Sequence, residues 1–103
     1  MDATDLYARM TALEADSMDE LDLIDEADNL RARIWKEKVM VNGTAAYYRI
    51  RISGRDGLIC ELLPDTINDT DDGLQLYTDV DGKDENMMLC GILLASKWKV
   101  VGE

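Results

Sequence analysis

The sequence predicts an α+β fold, with one or two N-terminal helices over 3–38 and an antiparallel meander of four to five strands over 39–103. Three observations carry this expectation. Apolar residues recur at three- and four-residue steps before Lys38, the period drops to two after it, and Asn-Gly, Ser-Gly and Asp-Gly turn signals punctuate the second part. A length of 103 residues suits a single domain, 1–103, with one core and little to spare.

The first amphipathic piece places Ala3, Leu6, Tyr7, Met10 and Leu13 at helical spacing, with Asp2 or Thr4 as its cap. The second, Ser17 to Lys38, opens on a capping-box pattern, Ser17 with Glu20. Its stripe is Leu23, Ala27, Leu30 and Ile34. Acids crowd its start and Arg31, Arg33, Lys36 and Lys38 its end, which suits a helix macrodipole. Two helices broken near Asp16 are expected; a continuous helix would present a coiled-coil seam and imply a homodimer.

From Val39 the pattern is β. Val39–Val41, Asn42-Gly43 and Thr44–Ser53 read as a hairpin, because Asn-Gly supplies the positive φ angles of a type I′ turn. Tyr48, Ile50 and Ile52 alternate with Tyr47, Arg49 and Arg51, giving one buried and one wet face. Ser53–Gly57 turns into a strand over Leu58–Leu63, which Pro64 ends by removing a donor. Asp65 to Gly73 reads as an acidic loop, Leu74–Val80 as a strand and Asp81–Asn86 as a turn. Met87–Ala95 is apolar on every side; a short helix capped by Asp84 is slightly favoured over a buried strand. Lys97–Val101 closes the sheet with Trp98 and Val100 inward.

Charge is the strongest signal. The net charge is −11, distributed as −9 over residues 1–30, +5 over 31–60, −8 over 61–86 and +1 over the remainder. Such a field repels nucleic acid and anionic membranes and steers the chain toward basic surfaces. The central basic block finds its nearest use in pairing with the acidic blocks around it. No apolar run approaches the ~18–20 residues that cross a bilayer. The acidic N-terminus lacks the basic start and apolar centre of a signal peptide, so a cytoplasmic location is the default expectation. Cys60 and Cys90 fit two buried free thiols in a reducing compartment.

The chemistry of catalysis finds few parts here. Histidine is absent, which removes the commonest general base and metal ligand. Two separated cysteines do not build a zinc site, and no phosphate loop or nucleophile elbow is present. Carboxylate pairs are abundant by chance among 22 acids, so a hydrolase is not inferred. Asp79–Glu85 offers oxygen ligands on a glycine turn, but an EF-hand register centred on Gly82 puts Tyr77 and Met88 where acids belong. An ordinary Asp-Gly turn is the simpler reading. No cofactor and no metal are expected.

What remains is a small acidic, non-enzymatic binding protein. Asp19, Glu20, Asp22, Asp25, Glu26 and Asp28, placed on a helix, stand about 5–6 Å apart and imitate the dense negative charge of a duplex. Asp69, Asp71 and Asp72 extend the acidic surface. The expected partner is then a basic, nucleic-acid-handling protein whose groove this chain occupies. Phage inhibitors of host defence, such as anti-CRISPR DNA mimics, share the size and charge, although no motif matches a family. The alternative is an assembly or immunity module that binds through an exposed apolar patch including Tyr7, Tyr47 or Met87.

Overall fold

The structure, a computed structural model, describes residues 1–40, 44–79 and 86–103. Among the described residues it is α+β: one N-terminal helix and an antiparallel meander of eight strands in two sheets. Helix α1 spans Ala3–Thr11 and is followed by β1 (Leu21–Asp25), β2 (Leu30–Met40), β3 (Thr44–Gly54) and β4 (Gly57–Leu62). Then come β5 (Thr66–Thr70), β6 (Gly73–Asp79), β7 (Met87–Leu93), a 3-10 turn at Ala95–Lys97 and β8 (Lys99–Val100). Sheet A has the order β4-β3-β2-β1-β8, and sheet B the order β5-β6-β7.

Helix α1 forms as its sequence predicts. The Asp2 side chain accepts from the Asp5 amide at 2.7 Å, and Ala3, Leu6 and Met10 face inward. The second helix is overturned: the stretch from Ser17 to Lys38 is a loop and a β-hairpin, and no coiled-coil seam exists to pair two copies. Its helical stripe competes with a two-residue alternation that prevails. Leu21, Leu23 and Asp25 are buried between Asp22 and Ile24, and across the ladder Ala32 and Ile34 are buried between Arg31 and Arg33. Asn29 turns the chain with φ 56°, a left-handed conformation that Asn tolerates. Asp25 supports the turn by accepting from the Ala27 and Asp28 amides at 3.1 and 3.3 Å. Ser17 caps no helix; its hydroxyl donates to the Glu14 carbonyl and accepts from the Asp19 amide.

The second half follows its period. Tyr48 and Ile50 are buried, Ile52 packs against the core, and the intervening arginines face outward. The Asn42-Gly43 turn lies outside the described residues, as do Asp84 and the rest of 80–85. Pro64 ends β4, and its carbonyl accepts the Tyr48 amide at 2.8 Å. Two further corrections concern sheet B. The expected acidic loop contains β5, which pairs Ile67 with Leu76 across β6. Met87–Ala95, favoured as a helix, is β7 with only the 3-10 turn before β8. Gly91 disfavours a helix interior, Ile92 and the paired Tyr77 and Thr78 suit a strand, and tertiary pairing overrides the remaining local preference.

One core joins the parts. Leu23, Ile34 and Ile50 of sheet A meet Leu74, Leu76 and Leu93 of sheet B, with Leu6 and Met10 of α1 and Trp98 closing the ends. Within sheet B, Gly73 is required where β6 begins beside the end of β7: its φ is 144°, and a Cβ there would lie 2.3 Å from the Leu93 carbonyl oxygen. Among the described residues no helix is long and apolar enough to cross a membrane.

Candidate interaction surfaces

The acidic hairpin is the first candidate. Opposite residues of an antiparallel pair share a face, so Asp22 of β1 lies beside Arg33 and next to Arg31. Arg31 grips Asp22 through two hydrogen bonds, one of 2.8 Å from Nε. Arg33 pairs with Glu20. Lys97 reaches both Asp25, at 3.4 Å, and Asp28, at 3.2 Å, while Lys99 meets Glu26 at 2.6 Å. Asp19 accepts a long bond from the Glu14 amide. Five of the six hairpin carboxylates that the sequence singles out are thus matched by the chain's own cations. They form no helical ridge. Asp25 is 3% exposed, a turn-forming and ion-paired side chain with no face to offer.

The same pattern continues across the outer face of sheet A. Arg51 holds Glu61 at 2.9 Å, and Arg49 lies 3.5 Å from both Glu61 and Glu37. Glu37 also accepts from the Trp35 indole at 2.7 Å and from the Tyr47 hydroxyl. The Tyr47 and Trp35 hydrogen bonds hold Glu37 below the usual carboxylate range, and the Arg31 hydrogen bond does the same for Asp22. Glu37 in turn pushes the Tyr47 phenol up. The expectation that the basic block pairs with its acidic neighbours describes this face well, and Tyr47 belongs to that network.

Asp69, Asp71 and Asp72 sit elsewhere, at the β5–β6 turn. Asp69 accepts from the Thr4 hydroxyl at 3.4 Å, and among the described residues no cation pairs with any of the three. The structure therefore separates the nine predicted positions into two groups on different sheets. Among the described residues the smaller group, like Asp19 of the larger one, makes no ion pair.

The second candidate is the outer face of sheet B. Leu74, Leu76 and Leu93 point into the core, so the residues between them point out. Gln75 opposes Ile92, Tyr77 opposes Leu89, and Asp79 opposes Met87. Met87, Leu89 and Ile92 consequently form a row on an edge strand, 36%, 50% and 48% exposed. Leu94 flanks the row and is exposed as well, and so is Met88, which pairs with Thr78 on the other face of β7. The register shift at Leu76/Tyr77 leaves Cys90 as an extra residue in β7, and this bulge returns Ile92 to the face that Leu89 occupies. Sequence reading flagged Met87 but took the run as buried. A strand at the sheet edge with one open face accounts for the exposure of Met87, Leu89 and Ile92, while Leu93 on the other face is buried.

Concave features are few and shallow. A hollow of about 470 Å³ lies over Asp25–Asp28 and Lys97–Lys99, and another of about 480 Å³ over Glu20, Asp22, Arg31 and Arg33. Both are floored by the ion pairs already described. A smaller apolar groove, about 150 Å³, runs between the sheets along Leu30, Ile52, Ile92, Leu94 and Trp98. Among the described residues no group of three or more acids or cysteines is placed to hold a metal ion. The Asp79–Glu85 segment, read from the sequence as an ordinary Asp-Gly turn, lies outside the described residues except for Asp79. Cys60 and Cys90 are free and half-buried, and burial pushes the Cys90 thiol up. Compared with protein-family models, with curated proteins and with solved structures, the chain finds no match in any of the three.

Proposed function

We propose that this chain is a non-enzymatic protein-interaction module that docks through the outer face of sheet B. The observation that carries this reading is the row Met87, Leu89 and Ile92, held in a folded strand yet open to solvent. Contiguous exposed apolar surface on a small soluble domain costs solubility and marks a contact site. The row lies in a stretch, Asn86 to Ser96, with no charged residue at all, in a chain that is 32% charged. This corresponds to the assembly alternative drawn from the sequence, with Met87 in the patch and Tyr7 and Tyr47 outside it.

Charge mimicry has a narrower basis. The hairpin acids lend it no support, since Arg31, Arg33, Lys97 and Lys99 already compensate five of them. What favours it is the trio Asp69, Asp71 and Asp72, which no cation pairs with among the described residues, together with the net charge of −11. A basic groove would then be met by the β5–β6 turn.

Capture from source-cell lysate on the immobilised full chain separates the two. The apolar reading expects a partner retained at about 1 M salt, where the Debye length falls to ~3 Å. That retention is lost in Leu89→Lys/Ile92→Lys and kept in Asp71→Lys/Asp72→Lys. Retention only at low salt, with the opposite response to the two double variants, would overturn it in favour of mimicry.

A further inference from the structure

We infer that the occupant of the sheet B face is a second copy of this chain, packed about a two-fold axis. This rests on the reading of that face as the contact site, and adds what covers it. Two properties of the face select the partner. The first is charge. Its interior positions, Gln75, Tyr77, Leu89 and Ile92, are neutral, and the acid among the six outer positions of β6 and β7, Asp79, stands at one end opposite Met87. A cationic partner would find nothing to pair with in the centre of this patch. An identical neutral face matches it without any charge mismatch, whereas most of the remaining surface of a −11 chain repels its own copy.

The second is area. Met87, Leu89, Ile92 and Leu94, each about one-third to one-half exposed, leave roughly 330 Å² of mostly apolar surface uncovered. That lies in the ~300–600 Å² span of functional patches. It also fits as the apolar centre of the ~800 Å² that each partner buries in a standard interface.

The geometry is self-complementary. A two-fold axis through the middle of the row sets Met87 of one protomer near Ile92 of its partner, with Leu89 at the centre. The Asp79 carboxylates then fall at opposite ends of the contact. Face-to-face stacking of side chains tolerates the Cys90 bulge, which interrupts a straight edge-to-edge ladder. A two-fold arrangement also closes, so association stops at the dimer.

Sedimentation equilibrium of the full chain tests this directly. The expected result is a monomer–dimer equilibrium that holds or tightens as salt rises to about 1 M, because screening removes the repulsion between like-charged copies. Ile92→Lys and Leu89→Lys each weaken the dimer about thirtyfold or more, with an unchanged circular-dichroism spectrum. Leu58→Lys, at an equally exposed position on the edge strand β4, leaves it intact. On the wild type, dilution shifts NMR resonances within 75–79 and 87–92 and leaves those of α1 unmoved. A chain that stays monomeric at every concentration and salt overturns the second copy. Should the lysate capture still depend on Leu89 and Ile92, the face survives as a site for another protein; if that dependence is lost too, both readings fall. A dimer that persists in both lysine variants, or shifts confined to α1, places the contact elsewhere and also overturns the inference.

Discussion

The outer faces of the two sheets solve opposite problems. Sheet A turns Arg31, Arg33, Arg49 and Arg51 outward and answers them with Asp22, Glu20, Glu37 and Glu61, so its charge is settled within the chain. Sheet B turns Met87, Leu89 and Ile92 outward, and among the described residues they stay one-third to one-half exposed. The difference teaches that density of charge along a sequence is a poor guide to where a protein reaches for a partner. Matched ions need no one else, and surface pairs of this kind add only about 0–1 kcal/mol each. Uncovered apolar surface gains on every contact.

The sharpest way to break the contrast is to disturb what lies between the faces. Leu23→Ala, at the fully buried centre of β1, lowers stability by about 2–5 kcal/mol, and Gly73→Ala costs a comparable amount because its methyl meets the Leu93 carbonyl. Denaturant midpoints measure both. Leu89→Ala on the open face changes the midpoint far less, and a loss as large as that of Leu23→Ala would show that the row is part of the core.

Next in size is the hairpin turn. Asp25→Ala removes the acceptor of two backbone amides and the buried partner of Lys97, at a cost of about 1–3 kcal/mol in chemical unfolding. Asp25→Asn, which keeps the amide bonds, loses less. Equal losses in both would assign the effect to the ion pair alone.

The smallest effect is on pH. Asp22 and Glu37 are held below their ordinary values of 3.8 and 4.5 in the folded chain. A depressed carboxylate contributes stability that is fully present above the unfolded pKa and is lost as pH falls through the folded one. Urea midpoints therefore decline below about pH 4, and the decline is shallower in Asp22→Asn/Glu37→Gln. An unaltered slope in that double variant would mean that sheet A's network contributes nothing to acid sensitivity.

Much of the fold is legible in the residues. The Asp2 cap, the alternation of Tyr48, Ile50 and Ile52, the stop at Pro64 and the inward Trp98 all appear where local rules put them. The hairpin over 21–40 was hidden because its residues satisfy two periods at once. Leu23, Leu30 and Ile34 fit a helical stripe, while Leu21, Leu23, Ala32 and Ile34 fit a strand. The deciding signal was Asp28-Asn29, a turn pair in the middle of the supposed helix. That misreading displaced the candidate site as well, since acids arrayed on a helix become acids facing arginines across a ladder. The sheet B row was half visible: Met87 stood out, but a uniformly apolar run does not say which of its side chains the sheet will cover.

Methionine reactivity gives the most direct test of the central claim, because the chain carries its own standards. Met18 is 99% exposed on the loop before β1, Met10 is fully buried in α1, and Met87 sits in the row. A brief pulse of a methionine-selective oxidant, read by mass spectrometry at rising protein concentration, reports whether the sheet B face becomes covered. The account predicts that Met87 slows toward Met10 while Met18 keeps its rate. A constant ratio of Met87 to Met18 across the whole range would contradict it.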